Sequence, residues 1–237
     1  KSMSSSQTIP VVEELPLVDG SIVKIYRGML SKESADCLLF DLRSQVPFGH
    51  YKVAGFGGKH VAPRGMFFFG DGASSGKSVY PANVTPQGLE DPRGTGYVYS
   101  NQKYPTLDWK TPVEVLRNPS YLQISSAFVN FKEPLAIPER YTPRPVGQSL
   151  DFYKDHINST WGLNFDSVLI NEYPDGRSYI AEHNDKEALG SNNAVFALSL
   201  GGTRDFYFKG IKGTPAEGQK HKLKIHHGDL MVMMGTT

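Results

Sequence analysis

His183 and Asp185 lie two residues apart. On an extended backbone, residues i and i+2 face the same way, so this spacing sets an imidazole beside a carboxylate. The pair is two thirds of a 2-His-1-carboxylate facial triad, the donor set that leaves positions open on Fe(II). Asn171 and Tyr173 precede it, again two apart, at the end of the apolar run 168–170. A polar pair on one face of such a strand needs hydrogen-bonding partners, and a ligand carboxylate is a natural one. Pro174-Asp-Gly176 between the two pairs predicts a hairpin turn. H-x-D alone is common in surface turns; its setting here is what singles it out.

The elements that must hold these residues are readable from periodicity. Residues 21–27 read as a strand bounded by Gly20 and Gly28. A helix follows, with Ser31 as N-cap and Ala35, Leu38, Leu39, Leu42 and Val46 on one face. Thr111-Pro-Val-Glu114 is a capping box that predicts a short helix to Leu116. Leu150, Tyr153, Ile157 and Trp161 mark a second amphipathic helix. Short aromatic strands are expected at 66–69 and 96–100. From Asp166 onward six strands are expected, at 167–173, 179–182, 194–201, 205–208, 221–226 and 229–234, separated by Gly, Asn and Pro. Two helices followed by a run of short strands predict an α+β fold, with helices outside a strand-rich sandwich or barrel.

Composition narrows the function. The 237 residues carry 25 Lys plus Arg against 24 Asp plus Glu, so a nucleic-acid partner needs a local patch and not bulk charge. Such a patch is present: seven Lys/Arg against four acids between His50 and Lys110, interleaved with aromatic residues including Phe67, Phe69, Tyr97 and Tyr99. That mixture suits stacking of an extruded base beside its phosphates, with Arg64, Phe67 and Phe69 as candidate contacts. The lone Cys37 excludes a disulfide scaffold and any multi-cysteine zinc site, and is read as a packing residue. No run approaches the ~18 apolar residues of a membrane helix. The start, Lys1-Ser-Met-Ser-Ser-Ser-Gln7, has no apolar signal-peptide core, so residues 1–20 are read as a flexible lead and an intracellular protein, nuclear or cytoplasmic, is expected. Gly72-Ala-Ser-Ser-Gly76-Lys77-Ser78 imitates a phosphate-binding loop, but Asp71 stands where that motif needs glycine.

The chain resembles the AlkB group of Fe(II)/2-oxoglutarate dioxygenases. The resemblance is carried by Asn171-Glu-Tyr173, Pro174-Asp-Gly176, His183-Asn-Asp185, Ser199-Leu-Gly-Gly-Thr-Arg204-Asp-Phe206 and His227-Gly-Asp229-Leu-Met-Val-Met. Upstream, Gly96-Tyr-Val-Tyr-Ser100 with Trp109 is similar to the family's substrate-lid strand. The resemblance implies a double-stranded β-helix (jelly-roll) core with buttressing helices. It implies an AlkB-like domain over 21–237, with a nucleotide-recognition lid at about 48–110 and a catalytic core at 166–237. It implies that His183 and Asp185 bind Fe(II), and that Asn171 and Tyr173 hydrogen-bond 2-oxoglutarate. Glu187 would touch the flipped base, and Tyr97 and Tyr99 would lie on the lid. The implied chemistry couples oxidative decarboxylation of 2-oxoglutarate to hydroxylation of an N-methyl group on a base of alkylated DNA or RNA. The methyl group then leaves as formaldehyde. A monomer is expected.

The sequence departs from the family pattern in one respect. The family's third metal ligand, a His after the Gly-Asp turn, and the arginine that pairs with 2-oxoglutarate both come later than Thr237, so a truncated catalytic core is expected. His226 and His227 precede that turn and are not assigned to the metal. Two alternatives stay open: a 2-oxoglutarate-dependent hydroxylase of a protein or small molecule, and an inactive nucleic-acid-binding module without the third ligand.

Overall fold

A computed structural model describes residues 11–17, 21–46, 48–50, 52–55, 58–70, 97–99, 102–104, 106, 108–109, 137–139, 141–183, 194–210 and 212–234. In chain order the elements are β1 (Val11–Pro16), β2 (Ile22–Arg27), α1 (Lys32–Gln45), β3 (Lys52–Gly55), β4 (Gly58–Val61), β5 (Gly65–Gly70), β6 (Tyr97–Tyr99), β7 (Gln102–Tyr104), α2 (Val146–Trp161), β8 (Ser167–Glu172), β9 (Ala194–Leu198), β10 (Arg204–Lys209), β11 (Lys220–Ile225) and β12 (Leu230–Met234). They fall into two compact units, residues 1–39, 136–139 and 188–237 in one, 40–135 and 140–187 in the other.

The first unit is two layers of sheet. One is four-stranded and antiparallel in the order β1-β2-β12-β9; the other is the β10–β11 ribbon. Strand alternation assigns the faces. Val23 and Ile25 of β2 and Met231 of β12 are buried together with Ile225 of β11, and Phe206, Phe208 and Leu223 pack against them. The intervening residues Asp205, Tyr207, Lys220, Lys222 and Lys224 are exposed. β12 lies between two strands and is apolar on both faces, with Leu230, Met231 and Val232 all buried. Mostly strands with few helices, and two packed antiparallel layers, are compatible with a jelly roll. α1 follows its sequence pattern: the Ser34 N–H donates to Ser31 Oγ (3.2 Å), and Ala35, Leu38, Leu39, Leu42 and Val46 are all buried.

The second unit is built around β5 paired antiparallel with β8, Phe67 opposite Ile170 and Phe69 opposite Val168. Met66 and Phe68 pack with Ala62, Val53 and Leu169. On the other face Phe69 stacks on Trp109, ring centroids 6.0 Å apart and planes 16° from parallel. α2 begins against that stack. A Cβ on Gly147 would lie 2.3 Å from the Trp109 carbonyl oxygen and 3.2 Å from the Phe69 ring. Alanine would relieve the ~1 kcal/mol cost of a helical glycine, but overpacking against backbone costs about 1–3 kcal/mol. Gly147→Ala is therefore expected to destabilise the protein, read as a lower urea midpoint with unchanged slope.

Three expectations are corrected. Residues 1–20 are not wholly a lead: Val11–Pro16 pairs along β2, and Glu14 and Lys24, opposite in register, form an ion pair at 3.1 Å. The strand expected at 179–182 is absent, and Tyr179 is 55% exposed in irregular chain. Pro174-Asp-Gly176 accordingly does not close a hairpin. Asp175 instead folds the chain on itself, its Oδ1 accepting from the N–H groups of Arg177 (2.9 Å) and Ser178 (3.1 Å). The capping box at 111–116 and the segment 72–78 lie outside the described residues.

Candidate active site

β8 delivers Asn171 next to its last residue, and Tyr173 follows immediately beyond the strand. Both are half-buried. Register places Asn171 opposite Met66 of β5, and Arg64, just before β5, meets it from there: Arg64 Nε donates to Asn171 Oδ1 at 2.7 Å. The backbone around Arg64 is fixed from two sides. The Tyr179 N–H donates to Pro63 O (3.3 Å), and Gly49 and Met66 exchange N–H···O bonds at 3.2 and 2.9 Å. Glu172, between Asn171 and Tyr173, sits against Gly65, whose Cβ would meet its Oε2 at 2.9 Å. Burial pushes the Glu172 carboxyl above the usual range, against the opposing pull of Arg43 and His50.

His183 is exposed, at the end of the irregular stretch that follows the Asp175 turn. Its Nδ1 lies 2.8 Å from Ala181 O. A carbonyl only accepts, so Nδ1 donates, which in the neutral ring leaves the lone pair on Nε2, the arrangement of a metal-binding imidazole. Asp185 and Glu187 lie outside the described residues, as do the side chains of Tyr97 and Tyr99, whose backbone forms β6. Among the described residues no three His, Cys, Asp or Glu side chains gather at one point.

Arg64, Phe67 and Phe69, expected at a base-stacking surface, are in the core: 2%, 6% and 0% exposed, with the two phenyl rings 5.3 Å apart. The cause is the second face of β5, which Trp109 and the start of α2 cover. His226 and His227 are engaged in structural bonds. His227 Nδ1 accepts from the Gly201 N–H (2.8 Å) and Nε2 donates to Asp36 Oδ1 (3.0 Å), which uses both ring nitrogens. Arg27 donates to His226 Nδ1 at 3.1 Å.

Lysine alternates along β11, a signal carried by the sequence itself. Lys220, Lys222 and Lys224 share the outer face of the ribbon with Lys209 and Tyr207, against one acid, Asp205, which bridges Lys222 (2.9 Å) and Lys224 (3.3 Å).

The model of the 2OG-Fe(II) oxygenase superfamily matches residues 23–237. The chain belongs to this superfamily. Its AlkB-like character is borne out by its relatives. It is 32% identical over 97 residues to the human DNA oxidative demethylase ALKBH2, covering 39% of this chain and 37% of that protein. The bovine protein of the same name is 35% identical over 99 residues, 39% of this chain and 35% of that one. The rat alpha-ketoglutarate-dependent dioxygenase alkB homolog 3 is 34% identical over 91 residues, 35% of this chain and 30% of that one. The chain thus spans about a third of the length of these relatives. The superfamily implies Fe(II) and 2-oxoglutarate, and the donor chemistry fits both: His183 holds the tautomer a metal takes, and Asn171 is turned with its oxygen to Arg64. No helix among the described residues is long and apolar enough to cross a membrane.

Proposed function

We propose that this protein oxidatively removes N-alkyl groups from bases in DNA or RNA. The observation that carries the reading is the ordered set Asn171-x-Tyr173 and His183-x-Asp185 in a superfamily member whose Asn171 and His183 are each held in one hydrogen-bonding state. His183 and Asp185 would hold Fe(II); Asn171 and Tyr173 would hold 2-oxoglutarate. When bound, these groups with O2 supply an oxidation in which 2-oxoglutarate becomes succinate and CO2 and one oxygen atom enters a C–H bond of the alkyl group. The resulting N–CH2OH group loses formaldehyde and leaves the base N–H.

The chain's own residues serve orientation. The Ala181 carbonyl engages Nδ1 of the His183 ring, which leaves Nε2 as the nitrogen that would meet the metal. The amide of Asn171 and the phenol of Tyr173 donate to ligand oxygens, which fixes the co-substrate before reaction. With Phe67 and Phe69 buried, stacking on the flipped base falls to Tyr97 and Tyr99, and Glu187 would read its edge. The exposed lysines of the β10–β11 ribbon support a phosphate-bearing partner. The names of the relatives, a DNA oxidative demethylase and an alpha-ketoglutarate-dependent dioxygenase, point the same way. The protein acts as a monomer inside the cell in this reading.

The test is formaldehyde release by the complete protein supplied with Fe(II), 2-oxoglutarate, O2 and an N-methylated oligonucleotide. Succinate formed without base demethylation would move the assignment to a hydroxylase of another substrate. Nucleic-acid binding with neither product would move it to a binding module. Tyr97→Ala and Tyr99→Ala are expected to weaken use of the oligonucleotide by about 1–3 kcal/mol each while leaving the KM for 2-oxoglutarate unchanged. Normal demethylation at low oligonucleotide concentration would remove the lid assignment.

A further inference from the structure

Arg64 is a buried cation whose Nε donates to the side chain of Asn171, 107 positions away in the chain. A guanidinium has five N–H donors and no acceptor. Only the oxygen of the Asn171 amide can face it, so the NH2 group is turned away. An asparagine beside a neighbour that both donates and accepts can sit either way round, offering an oxygen or an NH2 to a ligand. Beside an arginine that choice is gone. Asn171 then meets a ligand as a donor only, which favours a carboxylate or keto oxygen and rejects a ligand donor.

The arrangement is built and not incidental. Arg64 is anchored by the Tyr179-to-Pro63 bond on one side and the Gly49–Met66 exchange on the other, and Met66 pairs in register with Asn171 itself. Both partners of the bond are thus set by main-chain hydrogen bonds.

We propose that Arg64 is a positioning residue for 2-oxoglutarate: it locks the Asn171 amide with the NH2 group presented to the co-substrate's oxygen atoms. The inference rests on the reading that Asn171 binds 2-oxoglutarate, and it replaces the base-stacking role that the sequence suggested for Arg64.

The experiment is calorimetric titration of 2-oxoglutarate into the complete, metal-loaded protein without O2, alongside KM and kcat from succinate formation. Arg64→Gln lets the amide turn, and Kd and KM for 2-oxoglutarate are expected to rise about tenfold or more with kcat at saturation within about twofold. Arg64→Lys keeps a donor and is expected to recover part of the affinity. Asn171→Asp keeps an acceptor for Arg64 but loses the donor, so its Kd is expected to rise at least as far as that of Asn171→Ala. In the Asn171→Ala background, Arg64→Gln is expected to add nothing to Kd, the non-additivity of two residues acting through one bond. Additive effects, or wild-type affinity in Arg64→Gln or Asn171→Asp, would overturn the inference while leaving the 2-oxoglutarate reading intact. If Arg64→Gln fails to fold, Asn171→Asp alone decides. A wild-type protein that neither binds nor consumes 2-oxoglutarate would overturn both.

Discussion

His183→Ala is expected to lower turnover by more than about 100-fold while leaving the melting transition within about 0.5 kcal/mol of wild type. Even partners that only orient a metal ligand typically contribute 10–100-fold to metal affinity, so loss of a ligand itself exceeds that range. The side chain is exposed, and its Nδ1 bonds to Ala181 O within its own loop. Alanine therefore removes no core volume, and exposed substitutions usually stay within about 0.5 kcal/mol. Iron content after anaerobic loading, circular dichroism and formaldehyde release together decide the matter. Iron binding equal to wild type in the variant would remove His183 from the metal site.

What the sequence made legible here follows the range of the interactions. α1 was readable because its signal is local: Ser31 caps its own helix, and the buried positions recur at helical spacing. β10 and β11 were readable because each strand alternates, and the alternation of Phe206 and Phe208 with Asp205 and Tyr207 assigns faces without knowledge of a partner; β9 and β12 were readable as short, wholly apolar runs. β1 was not readable. Val11-Val-Glu-Glu-Leu-Pro16 does not alternate, and it is held by Glu13 and Glu14 pairing with Arg27 and Lys24 on the next strand. Those cross-strand pairs exist only after the register is set. The expected strand at 179–182 failed for the opposite reason. Its apolar residues invite pairing, but Asp175 turns the chain through local bonds, and among the described residues no strand pairs with this stretch.

The site divides in the same way. Asn171, Tyr173 and His183 stand out by type and spacing along a short stretch. The roles of Arg64, Phe67 and Phe69 depend on contacts with Asn171 and Trp109, far off in the chain. An aromatic run beside an arginine reads equally well as a stacking surface or as a strand buried on both faces. Only the β5–β8 pairing, and the stack behind it, choose between them.

Asp229→Ala is expected to cost about 3 kcal/mol at neutral pH. The carboxylate is 2% exposed and accepts from the Gly28 N–H (3.0 Å), the His226 N–H (2.9 Å) and Arg27 (2.5 Å). Removing one partner of a buried ion pair costs about 3–5 kcal/mol. The lower end applies because Arg27 keeps Glu13 at 2.8 Å. The pH dependence has a definite sign. Burial alone raises the Asp229 pKa, but the bonds from Gly28, His226 and Arg27 together outweigh it and hold the carboxyl below its ordinary value of 3.8. A carboxylate depressed in the folded state stabilises above the unfolded pKa, and that contribution is lost as pH falls through the folded value. The wild-type advantage over Asp229→Ala should therefore be full at pH 7 and shrink as the pH is lowered from about 4. Urea melts of both proteins at pH 7, 5 and 3 measure it. A difference that stays constant across the three would mean that Asp229 acts through packing alone, and that its charge does not tie β2 to the turn before β12.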